Sequence, residues 1–188
     1  MSQFEFLMIV GGVVVAIGLT EILSGWGQLI RNVENTDFDI LYIGWSVYAV
    51  VVVLVYYVGM WPYHDDKFLY LGQIIFLVIP SLFFTLFAYA ITPDFKTISF
   101  NEYFEKKRKT IYLCLILYIS TAALADTVIA GVIFDWQEYL ELAAFIGLVC
   151  VIAFVEKRWV HIVFVYVLLI AIVPSLFTPL EQILERFL

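Results

Sequence analysis

Glu21 and Asp126 are carboxylates set inside long apolar runs of the chain. A charge near a bilayer centre costs at least roughly 2.5–3.5 kcal/mol on insertion scales, so by default it marks a functional site. Such a group can take up a proton or a cation, either of which makes it tolerable in lipid. Its other use is as packing glue, hydrogen-bonded to neighbouring helices. The two acids sit in similar settings, Gly18-Leu19-Thr20-Glu21 and Ala123-Leu124-Ala125-Asp126, 105 residues apart. Helical spacing puts Gly11, Gly18, Glu21, Gly25 and Gln28 on one stripe, and Ala122, Ala123, Asp126 and Ala130 on another. Small residues let backbones approach closely in lipid, so both stripes are expected to turn their acids toward protein.

A second pair of candidates is Pro80-Ser81 and Pro174-Ser175, each followed by Leu-Phe and 94 residues apart. Each proline removes an amide donor and frees a carbonyl one turn earlier, at Phe76 and Ile170. In a bilayer such groups are tolerated when buried or lining a cavity. Two readings stand: bent or broken helices around a pathway, or plain kinks.

The elements that must hold these residues are transmembrane helices. Of 188 residues, 64% are hydrophobic and only 14% charged, which excludes a soluble globular domain. Runs of about 20 apolar residues suffice to cross a bilayer, and six fit at 6–30, 39–61, 67–91, 110–134, 138–155 and 159–178. The expectation is an all-α polytopic membrane protein. Its first three-helix repeat spans 1–92, a basic amphipathic linker 93–109, a second three-helix repeat 110–178 and a short surface helix 179–188. Three spans per half require the halves to be inverted, a plan common among transporters and channels. Eight of the ten Lys and Arg fall on one side of this plan, which assigns the 31–38, 92–109 and 156–158 loops to the cytoplasm and both termini outside. The outer side is then strongly acidic, which raises the local cation concentration or reflects no more than solvated loops depleted of basic residues.

The 93–109 loop holds the capping pattern Ser99-Phe100-Asn101-Glu102, so a helix is expected to start at Phe100 and run into the fourth span. Lys106, Lys107, Arg108 and Lys109 follow, suited to anionic lipid headgroups at the cytoplasmic face and not to nucleic acid. Cys114 and Cys150 both lie in apolar runs and read as small packed hydrophobes. His64 and His161 fall in opposite leaflets and cannot share a haem within one subunit. No metal or cofactor motif occurs, so neither a cofactor nor a metal is expected. An enzyme would have to use the polar turn of His64, Asp65 and Asp66 on lipid, and that turn reads more simply as a solvated loop.

Three stretches, GLTEILSGWGQLIR from Gly18 to Arg31, NEYFEKKRK from Asn101 to Lys109 and EKRWVH from Glu156 to His161, resemble a family of small six-helix bacterial membrane proteins. The resemblance implies a bacterial inner membrane and no particular activity. In outline the three-plus-three plan is also similar to trimeric intracellular cation channels and to aquaporins, although the Asn-Pro-Ala motifs of aquaporins are absent. Two functions follow. One is a small channel or carrier for protons or monovalent cations, with Glu21 and Asp126 as a midplane pair, Gly18, Gly25 and Gln28 beside them, and Pro80, Ser81, Pro174 and Ser175 as walls. The other is a non-transporting scaffold or sensor that binds lipid or a partner protein. A homo-oligomer is expected in either case.

Overall fold

A computed structural model describes residues 3–31, 39–60, 71–94, 99–130 and 136–177; for 3–4, 71–74, 77, 126, 128–130 and 175–177 it describes the helical backbone alone. These residues form six helices and no strand: α1 (Gln3–Arg31), α2 (Ile40–Gly59), α3 (Leu71–Ile91), α4 (Phe100–Ala130), α5 (Trp136–Phe154) and α6 (Arg158–Phe177). Four of them, α1, α2, α4 and α5, are long and apolar enough to cross a membrane. In α3 and α6 the apolar stretches among the described residues are shorter, Val78–Ile91 and Arg158–Pro174.

The helix starts follow local chemistry. Asp39 is the N-cap of α2, its Oδ1 accepting the Leu41 and Tyr42 amides at 2.9 and 3.4 Å. Ser99 Oγ accepts the Glu102 amide at 3.4 Å, and α4 runs unbroken from Phe100 through the expected linker into the fourth span. The prolines break nothing: α3 continues through Pro80 and α6 through Pro174. Pro80 is buried and Pro174 exposed, so they do not form matching walls.

α3 lies between α1 and α4, its two most extensive partners; α2 packs on α6, and α5 leans chiefly on α4. The halves of the chain therefore pack unequally among the described residues. Gly18 makes the α1–α3 approach possible, because a Cβ there would stand 3.1 Å from the Thr85 Cα and 3.2 Å from the Phe84 ring. Thr85 Oγ1 crosses the same seam to the Val14 carbonyl at 2.8 Å. Between the helices the space is filled with aromatic rings. Trp45 meets Tyr112 edge-on at 5.5 Å and Phe87 at 5.7 Å, with Phe164 at 6.4 Å. Each such pair adds about 0.5–1.5 kcal/mol beyond area burial.

Candidate functional site

Glu21 lies ten residues before the Arg31 end of α1, about 15 Å along the helix axis. It departs from the stripe on which spacing alone places it. Gly11, Gly18 and Gly25 are buried against α2 and α3, whereas Glu21 is half-buried on the flank of that seam. Three residues beyond Gly18 the helix has turned by about 60°, enough to leave the contact line. There Glu21 opens on a groove of about 370 Å³ lined by Val13, Ala16, Ile17, Thr20 and Tyr89. Val13, Ile17 and Tyr89 are each about half exposed, so this wall faces out of the bundle. The expectation that the acid points into protein is corrected accordingly.

No hydrogen bond joins Glu21 to another described residue. Thr20 Oγ1 donates to its own helix, to the Ala16 carbonyl at 2.7 Å. The Tyr42 and Tyr103 hydroxyls lie within electrostatic range of Glu21. Tyr42 donates to the Ile22 carbonyl and Tyr103 to the Ala90 carbonyl. Among the described residues, none of α4, α5 or α6 lines the Glu21 groove. Asp126 lies on α4, but its side chain is outside the described residues, as is that of Ser175. The His64, Asp65 and Asp66 turn and the 179–188 segment lie outside them too.

Of the other candidates, Gly25 admits the Tyr42 hydroxyl and the Thr92 methyl at contact distance. Gln28 is half-buried near the same end of α1 and is engaged with neighbours. Ser81 is buried and shares a 3.4 Å hydrogen bond with Tyr57. These residues serve the packing seam and do not reach Glu21's groove.

Sequence reasoning missed a polar knot at the end where α2, α4 and α6 begin. Arg158 at the start of α6 pairs with Asp39 Oδ2 and also donates to Asn101 Oδ1, tying three helix starts together. One turn on, His161 is fully buried. Its Nε2 lies 2.9 Å from the Val155 carbonyl and its Nδ1 lies 2.8 Å from the Tyr112 hydroxyl. A carbonyl only accepts, so Nε2 carries the hydrogen and Nδ1 accepts from Tyr112; both nitrogens of the neutral ring are used. The available signal was Asp39 directly before an apolar run, an N-cap pattern.

The basic cluster divides. Lys107 is exposed, and Lys106 pairs with Glu102 one turn earlier. Arg108 Nε instead donates to the Ala153 carbonyl at 3.0 Å, and Lys109 sits 5.0 Å over the Phe154 ring. These two hold the C-terminal end of α5, where orphan carbonyls and the helix dipole favour cations. Among the described residues no group of His, Cys, Asp or Glu is placed to hold a metal, and Cys114 and Cys150 are free thiols.

The fold and the site define the class, a membrane-compatible bundle, all-helical among the described residues, with a carboxylate groove that faces outward. No family model, curated protein or solved structure matches the chain.

Proposed function

We propose that this chain is an integral membrane protein that carries protons or monovalent cations through Glu21, loading the carboxylate from the side of the bundle and not from an axial pore. The observation behind this reading is an acid with no hydrogen bond to another described residue, opening on an apolar groove, while aromatic rings fill the space between α2, α3, α4 and α6. A polar group left unsatisfied in an apolar setting is costly, and uptake of a proton or cation removes that cost. The setting is a bacterial inner membrane, with the Arg158 end of the bundle at the cytoplasm, where most of the basic residues gather. Asp126 is assigned as the second, equivalent station in the other half of an inverted repeat.

The test is flux in proteoliposomes. Glu21→Gln with Asp126→Asn is expected to abolish proton or monovalent-cation uptake while thermal unfolding stays unchanged. Equal uptake by the double variant refutes transport through these acids. The alternative reading, a non-transporting scaffold or sensor, draws on the saturated knot of Asp39, Arg158, Asn101 and His161, which suits a rigid platform. It predicts no flux in either protein and loss of fold or assembly in the double variant.

A further inference from the structure

The groove beside Glu21 has more walls than a proton needs and too few oxygens for a bare metal ion. A proton would use the carboxylate alone. An inorganic cation stripped of water asks for several oxygen ligands, and among the described lining residues only Thr20, Glu21 and Tyr89 carry side-chain oxygens. What remains is a negative charge at one edge, an aliphatic floor of Val13, Ala16 and Ile17, and the partly exposed ring of Tyr89. At about 370 Å³ the space falls within the roughly 300–1,000 Å³ of small-molecule sites, near the small end. A positive group between a carboxylate and an aromatic face is held by both, through Coulomb attraction in a poorly hydrated setting and through the ring quadrupole.

We infer that the α1–α3 groove binds a lipophilic monovalent organic cation, its charge against Glu21 and Tyr89 and its apolar body along Val13, Ala16 and Ile17. This rests on the reading of Glu21 as the loading site and names its ligand class. The groove opens outward, so such a cation enters from the bilayer without crossing the packed interior. Because proton and organic cation share one carboxylate, loading of one displaces the other.

The experiment is equilibrium dialysis of the full chain in non-ionic detergent against radiolabelled tetraphenylphosphonium, with neutral triphenylphosphine oxide as competitor. Saturable binding is expected that the neutral compound does not displace and that acid weakens. Glu21→Gln should lower affinity about ten-fold or more, since the cation loses its counter-charge in an apolar site. Tyr89→Leu should lower it about three-fold, the size of one partly exposed cation–π contact. Ile17→Trp fills the groove and leaves the acid, so it should lower phosphonium affinity about ten-fold or more. Absence of saturable binding to the folded wild type overturns the inference, as does unchanged affinity in Glu21→Gln or Ile17→Trp. If proton uptake persists when phosphonium binding is absent, only the ligand class fails. If proton uptake itself is independent of Glu21, the underlying reading fails.

Discussion

The knot at the starts of α2, α4 and α6 and the groove on the flank of α1 treat polar groups in opposite ways. In the knot every charge and ring nitrogen has a partner: Asp39 caps α2 and pairs with Arg158, Arg158 reaches Asn101, and His161 uses both nitrogens. In the groove Glu21 has no hydrogen-bond partner among the described residues, and the groove is lined by Val13, Ala16, Ile17, Thr20 and the Tyr89 ring. A saturated network stabilises and positions helices, whereas an unsatisfied group retains affinity for something that arrives later. On the proposed reading, stability belongs to the knot and binding to the groove.

Removing one member of the knot should produce a large stability loss. Arg158→Leu leaves the Asp39 carboxylate, only 11% exposed, without its counter-ion. Breaking a buried pair costs about 3–5 kcal/mol, and since Arg158 itself is 37% exposed a loss of about 2 kcal/mol is expected in reversible micellar unfolding. A loss below about 0.5 kcal/mol, the level of an ordinary surface pair, would show that the knot is ornamental.

The α1–α3 seam comes next. Gly18→Val forces branched carbons against the Thr85 backbone and the Phe84 ring, and overpacking of this kind costs roughly 1–3 kcal/mol. Gly12, where a Cβ meets nothing within 4 Å, should accept alanine with a gain of up to about 1 kcal/mol from helix propensity. Equal effects at the two glycines, read by the same unfolding assay, would contradict the close approach.

A smaller loss is expected from Tyr112→Phe, which leaves His161 Nδ1 buried without a donor, at about 1–2 kcal/mol. Thermal unfolding of Tyr112→Phe alongside His161→Phe tests this. If the two share one bond, the double variant should lose less than the sum of the singles. Strict additivity would dissolve the pair.

The least effect on stability belongs to Glu21→Gln, within about 0.5 kcal/mol, because no hydrogen bond to a described residue is broken. A large destabilisation there would turn the groove into a second knot and favour the scaffold reading.

The sequence by itself determined six helices, the start of α4 at its serine cap and, in Glu21 and Asp126, two acids set in apolar runs as anomalies. Apolar run length and local capping are near-neighbour physics, written in consecutive residues. It also marked Gly11, Gly18 and Gly25 as a contact stripe, since that follows from helical period alone. It did not determine which way Glu21 faces. A three-residue step from Gly18 moves a side chain by about 60°, and whether that lands inside or outside depends on where α3 lies. Nor did it reveal the knot, whose members Asp39, Asn101, Arg158 and His161 are up to 122 residues apart and meet only because α2, α4 and α6 begin at one end. Tertiary structure decided both. The position of a neighbouring helix, which no local pattern encodes, separates a satisfied polar group from an available one.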